Sequence, residues 1–362
     1  MIFCNNWLNT NLQTQMKKIS VAVSGLNAID SPGPGISVIR ALKESSIYDV
    51  RVIGLAYENL EPGIYMRNLV DKTFTMPLPS AGAEALFNRL AYINSVEKID
   101  VLIPNFDSEL FNYIKLSERL KLELKISTFL PTLSQFEERQ KTNLFEFGKK
   151  HRINIPKSKT VYSVAELYAT KNEISFPQVI KGKFYDAIIA YTSDEAISAF
   201  NRIAGKWGLP IIVQEFIEGE EVNVTAIGNG KGETIGAVPM KKQFITDKGK
   251  AWAGISINDT ELLKLTEQLI LSTKWRGGLE LELVKTEKDE YYLLEINPRF
   301  PAWIYLAVGC GQNHPEKLVQ MALGESTSAF TSFEVGKLFV RYSYDLIVNL
   351  SDFEKISISG EL

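Results

Sequence analysis

The chain has 362 residues, 45% of them apolar and 23% charged, with a formal net charge of −3. Its length points to two or three subdomains sharing an interface, and its composition is that of a globular protein with no basic field to draw nucleic acid. No apolar run reaches the roughly 18 residues of a membrane helix, residues 1–15 lack the basic start and apolar core of a signal peptide, and two distant cysteines, Cys4 and Cys310, argue against a disulfide framework or thiolate metal site, so a cytoplasmic, enzyme-sized α/β protein is expected.

Residues 1–15 read as an extension, because MKKISVAV from Met16 has the pattern of a first strand. Over 16–130 the spacing predicts strands at 18–25, 50–55, 99–103 and near 124–127, alternating with helices at 33–45, 83–95 and 110–120. Such alternation predicts a parallel sheet covered on both faces. The turn SPGPG offers only G-x-G, several residues beyond its strand, whereas a dinucleotide site wants G-x-G-x-x-G at the strand–helix junction. It therefore reads as a tight loop capping a helix at the carboxyl edge of the sheet, where a small substrate can lie.

A small central lobe is expected over 131–220, with a helix at 141–151, strands at 159–161, 176–181 and 211–216, and a helix opened by Thr192 and Glu195 at capping-box spacing. His151 ends a charged helix, where a cation suits the dipole. From 221 to 362 the pattern turns antiparallel, with strands at 222–228, 234–239, 254–257, 278–284 and 291–296, a helix at 259–271 and one or two closing strands in 339–362. His314 falls at a helix start with Asn313 as its cap.

The stretches GGLELELV and YYLLEINPRF are separated by the polar turn KTEKDE and form a hairpin. Glu280 and Glu282 share one face of the first strand, and Glu295, Asn297 and Arg299 share one face of the second, with Leu293 below them. Pairing across the turn brings Glu282 opposite Glu295, with side chains about 5 Å apart. Like charges so placed destabilise a sheet unless a cation lies between them. Carboxylate and amide oxygens suit magnesium, which keeps waters and also binds phosphate oxygens. The plain alternative, a half-solvated strand with its glutamates outward, fits LELEL but not the proline and arginine that follow.

LLEINPRF resembles the metal-binding strand of the ATP-grasp enzymes, above all their carbamoyl-phosphate-synthase-like and biotin-carboxylase-like branches, and the resemblance runs over most of 17–325. It implies an α/β and α+β chain: an ATP-grasp fold with an N-terminal Rossmann-like domain, and ATP between the central and C-terminal lobes. Lys141 in RQKTNLFEF and Lys181 in FPQVIKGK match the two lysines that flank the nucleotide. VQEFIEGEEV resembles the hinge: Gln214 and the backbone of Glu215 and Ile217 would face adenine, with Leu293 also against the nucleotide, and Glu221 would take the ribose. Glu282, Glu295 and Asn297 match the magnesium ligands, with manganese an acceptable substitute, and Arg299 matches the arginine near the transferred phosphate. The phosphate-covering loop departs from the family, since GKFYDA holds one glycine and cradles phosphate poorly. Lys241 and Lys242 precede a polar segment that reads either as a solvated hairpin end or as a lid in which one lysine, taken as Lys242, meets the phosphates and Trp252 borders the acceptor substrate.

The implied reaction joins a carboxylate to an amine through an acyl phosphate, with positioning and charge neutralisation supplying most of the acceleration. Small-molecule substrates are expected as partners, with no nucleic acid, no membrane and a second copy of the chain as the protein contact. Two rivals stand beside this reading: a bicarbonate-activating enzyme of the carbamoyl-phosphate-synthase kind, and a nucleotide-binding protein without turnover.

Overall fold

The computed structural model describes residues 16–29, 31–183, 186–247 and 249–362; the N-terminal extension and Cys4 lie outside them. Its first sheet is parallel, in the order Lys72–Thr75, Tyr48–Ala56, Lys17–Ser24, Val101–Ile103. Successive residues of the central strand feed opposite faces. Val23 packs with Val38 and Leu42 of the helix Pro34–Lys43, while Ala22 packs with Leu86 and Leu90 of the helix Ala83–Glu97. This is the two-sided burial that a parallel sheet requires. The strand Lys72–Thr75 was not anticipated. The segment 124–127 is not a strand: a π-helical turn over Leu120–Leu124 ends at its first residue, Lys125 turns left-handed, and a single bridge joins Ser127 to Val101.

The order of this sheet reverses between Lys17–Ser24 and Val101–Ile103. There the SPGPG loop brings the first helix onto the strand end, and the Gly35 amide donates to the Gly25 carbonyl at 2.9 Å. A Cβ on Gly35 would lie 2.2 Å from the Ser24 carbonyl oxygen, so the glycine serves close helix–strand approach. The loop caps a helix, as the sequence reading has it.

The second sheet is antiparallel, in the order Ser158–Val161, Ile211–Glu215, Gln178–Gly182, Ala187–Ala190. Its last strand is short and half exposed, which hid it from periodicity. The helix Ser193–Trp207 covers the sheet, packing Ala196, Phe200 and Ile203 in one cluster with Ile180 and Val213. Thr192 accepts from the Glu195 amide at 3.2 Å, while the Glu195 carboxylate accepts from the Tyr191 amide at 2.8 Å rather than from Thr192 itself. Such a cap stabilises a helix by about 1 kcal/mol.

The third sheet has six antiparallel strands in the order Tyr291–Asn297, Arg276–Lys285, Glu220–Asn229, Thr234–Ile245, Ala251–Ser256, Leu338–Val340. The helix Thr260–Thr273, capped by Asp259, packs Leu262, Leu269 and Ile270 in a cluster with the fully buried Trp275. The tail supplies one closing strand and, unexpectedly, a helix, Leu350–Ser359, in which only Ile356 is buried. Beyond it the chain returns to the first sheet, where Thr73 and Leu362 exchange amide–carbonyl bonds of 3.0 and 2.9 Å.

Candidate active site

The hairpin fixes the centre of the site. Its register pairs Glu282 with Glu295, as the alternation predicted, and Glu280 with Asn297, with a β-bulge just beyond the Glu282–Glu295 pair. Lys141 stands on one side, its Nζ 3.2 Å from Glu295 Oε2. Lys242 stands on the other, 2.7 Å from Glu221 Oε2 and 3.9 Å from Glu282 Oε2. Lys141 reaches this position from a turn between the helices Leu133–Glu138 and Leu144–His151, not from the helix where the sequence reading placed it.

Electrostatics joins these groups into one cluster. Burial, with Glu280 and Glu295 close by, pushes the Glu282 carboxyl up to about 7, against the pull of Lys242 and Lys141. Burial and the neighbouring charge of Lys141 pull the Lys181 ammonium down to about 8, although Glu295, Glu282 and Glu221 act the other way. Burial also opposes the charge on Lys242, but Glu282 and Glu221 outweigh it and leave its pKa raised. Burial leads both shifts, on the acid and on the lysine, so the cluster is one of desolvated charges.

Asn297 Nδ2 donates to Glu280 Oε2 at 3.1 Å and to Glu282 Oε1 at 3.0 Å. Both amide hydrogens are thereby committed, and only the carbonyl oxygen is left to act as a ligand. Among the described residues no group of three or more His, Cys, Asp or Glu is arranged to hold an ion by itself. Two facing carboxylates and an amide oxygen fit a hard divalent cation that completes its shell with water and phosphate oxygens.

Arg299 lies at the end of the same strand, its Nε 3.4 Å from Asp107 Oδ1 and its Nη1 donating to the Phe300 carbonyl at 3.2 Å. Burial disfavours its charge, but Asp107, Glu280, Glu295 and Glu282 outweigh that and raise its pKa. Asp107 opens the helix Asp107–Arg119 at the carboxyl edge of the parallel sheet and also faces Arg139 at 3.8 Å. The sequence reading missed Asp107, Arg139 and Asn223, and it gave Glu280 no role. Asp107, Arg139 and Asn223 come to the hairpin from distant parts of the chain, so no local pattern flagged them.

In the segment expected to be the hinge, Gln214 is buried, and the Glu215 amide is taken by the Lys157 carbonyl at 2.8 Å. Leu293 is wholly buried in the core of the third sheet, apart from the charged cluster. In the phosphate-loop segment Gly182 bonds back to Asp186 at 3.0 Å, and Asp186 is held by Lys206 and Trp207, each at 2.9 Å. Phe184 and Tyr185 of that loop lie outside the described residues. His314 is buried, pushed down to about 3 by desolvation, beneath its Asn313 cap. His151 departs from expectation: burial holds its pKa below the usual value, so it is no cation for the helix dipole.

The Lys181 shift makes a prediction for the metal- and nucleotide-free protein. Lys181→Met should raise Tm at pH 7, where both folded and unfolded wild type carry the charge and only the folded state suffers for it. As pH climbs from about 8 toward 10.5 the folded lysine loses its proton first, and the advantage should shrink. Melting curves across that range check it; a gain independent of pH would show that the lysine is not strained.

Residues 209–341 match the family described as "ATP-grasp in the biosynthetic pathway with Ter operon". The chain has the ATP-grasp fold. A biotin carboxylase domain of the Hydrogenobacter thermophilus 2-oxoglutarate carboxylase, a dimer with MgADP, ADP and bicarbonate, superposes with a TM-score of 0.67 over 90% of this chain and 74% of its own, at 17% identity. The tyramine–L-glutamate ligase of Methanocaldococcus fervens is 27% identical over 238 residues, which are 62% of this chain and 75% of the ligase. The carbamoyl phosphate synthase large chain of Clostridium beijerinckii is 25% identical over 313 residues, 78% of this chain but only 27% of the synthase, so the chain spans about a quarter of that relative. Among the described residues no helix is long and apolar enough to cross a membrane.

Proposed function

We propose that the chain is an ADP-forming ligase that activates a small carboxylate with ATP and joins it to an amine. The observation that supports this most is the facing pair Glu282 and Glu295, bracketed by Lys141 and Lys242, with Arg299 next along the strand. Nucleotide binding needs only cations and a hinge. Paired acids beside an arginine suit transfer of the γ-phosphate.

In this reading the hinge around Gln214, Glu215 and Ile217 receives adenine and Glu221 the ribose, while Lys141 and Lys181 neutralise the phosphates. Glu282, Glu295 and Asn297 would hold magnesium, which when bound supplies charge neutralisation at the β- and γ-phosphate oxygens. Lys242 is bound to Glu221 at 2.7 Å, so ribose binding would release it toward the phosphates. Arg299 orients the donor carboxylate. One of its oxygens attacks the γ-phosphorus and ADP leaves; the amine nitrogen then attacks the acyl carbon, sheds a proton, and phosphate departs with the bridging oxygen. Each step is accelerated by position and charge.

The test is ADP release from ATP and Mg2+ over a panel of amino acids and small carboxylates, each with and without amines. ADP formed only when a carboxylate is present supports the ligase. The likeness to carbamoyl phosphate synthase over 78% of the chain favours bicarbonate as a second reading, and the panel includes it. No ADP with any acid would leave a nucleotide-binding protein. Within the same reading, Lys181→Ala should weaken ATP binding tenfold or more by calorimetry, as expected for the loss of a charge contact worth about 1.5–3 kcal/mol; equal affinity contradicts the placement.

A further inference from the structure

Glu280 is the acid of the hairpin that this chemistry leaves without a task. It is 6% exposed, yet its carboxylate is fully engaged: Oε1 accepts from Trp303 Nε1 at 2.7 Å and from Asn223 Nδ2 at 3.0 Å, and Oε2 accepts from Asn297 Nδ2 at 3.1 Å. The three donors come from the loop after the second hairpin strand, from the strand Glu220–Asn229 and from the residue directly across the hairpin. Burying a carboxylate is costly without such partners, and an apolar side chain would fill this place in a strand of leucines more simply.

The consequence falls on Asn297. An amide can turn over by 180°, exchanging its oxygen for its NH2 at little internal cost. If Asn297 did so, its oxygen would lie against the Glu280 and Glu282 carboxylates, acceptor against acceptor, and its NH2 would face the ion. We infer that Glu280 is a positioning residue: a buried anion, held by Trp303 and Asn223, that fixes the Asn297 amide so its carbonyl oxygen is the atom offered to a divalent cation. This rests on the ligase reading only in taking Asn297 as a ligand.

The experiment measures free Mn2+ by electron paramagnetic resonance, in the presence of ADP, for wild type and four variants. Glu280→Gln puts a donor where Asn297 now finds an acceptor and leaves Glu282 alone to oppose reversal of the amide, so Mn2+ affinity should fall tenfold or more, in line with lost outer-shell partners. The metal-free Tm should not fall with it. The double variant Glu280→Gln with Asn297→Asp exchanges amide and carboxylate across the hairpin. The carboxylate introduced on the second strand presents an oxygen whichever way it turns, so the double variant should bind Mn2+ more tightly than either single one.

Unchanged affinity in Glu280→Gln overturns the inference, and so does a double variant no better than its parents, since a merely structural Glu280 predicts no rescue. If Glu280→Gln fails to fold, the double variant against Asn297→Asp alone decides: tighter binding supports the clamp and equal binding refutes it. Glu295→Gln keeps the two claims apart. Loss of Mn2+ there, with none in Glu280→Gln, sinks the clamp and spares the metal site; no Mn2+ binding even in wild type refutes the metal assignment and the clamp together.

Discussion

Arg299→Lys should leave nucleotide affinity nearly intact while lowering kcat by about a hundredfold or more, the effect of losing one contact made to the transition state. The guanidinium has five donors in a planar fork; Nε faces Asp107 at 3.4 Å and Nη1 reaches the Phe300 carbonyl at 3.2 Å. A carboxylate or phosphate oxygen pair can take the remaining donors bidentately. Lysine keeps the charge, which Glu280, Glu282 and Glu295 favour as much as they favour the arginine, but it has no fork to share between Asp107 and a substrate. An arginine that merely ties the hairpin end to the first domain forecasts the reverse, a lowered Tm with kcat unchanged. Both quantities measured on one purified variant separate the two roles.

Glu295→Gln should cost turnover a hundredfold or more and stability almost nothing. Two terms decide the second half of that statement. The substitution breaks the Lys141–Glu295 pair, 3.2 Å long between side chains that are 21% and 26% exposed, and pairs of this partly solvated kind contribute up to about 1 kcal/mol. It also removes the like charge that helps push Glu282 up to about 7. Relief of that repulsion offsets the lost pair, so the metal-free Tm should stay level or rise. Calorimetric melting beside steady-state kinetics tests both halves. A variant that melts several degrees lower while retaining full activity would make Glu295 a structural anchor.

The pairing of Glu282 with Glu295 was legible because Leu279, Leu281 and Leu283 alternate with Glu280 and Glu282, and a short polar turn joins the two strands. The β-bulge that follows this pair was not legible: it sets Leu293 opposite Leu283 and turns it into the core beside Ile296, away from the face of Glu295 where a period of two places it. Lys181 was legible for a similar reason, since it closes a buried strand. Lys141 was found by its place in the order of motifs, but its local setting was misread: the chain turns there and the helix begins at Leu144. Asp107, Asn223 and Trp303 were not legible, because each acts through a partner far away in sequence. Nothing in FDSEL announces that Asp107 will meet Arg299. The tail was misread in part because its helix buries one residue of ten, and the residues that bond to the strand Lys72–Thr75 are the three after it, Gly360 to Leu362.

The central claim is that a carboxylate oxygen attacks the γ-phosphorus. It is tested most directly with 18O in both carboxyl oxygens of whichever acid elicits ADP release, followed by mass spectrometry of the phosphate formed with amine present. Breakdown of an acyl phosphate by attack at its carbon carries one substrate oxygen into phosphate, so the account predicts one 18O per phosphate released and one retained in the amide. Unlabelled phosphate would mean that water attacks ATP, and AMP with pyrophosphate would mean that the α-phosphorus is the target; either result contradicts the mechanism.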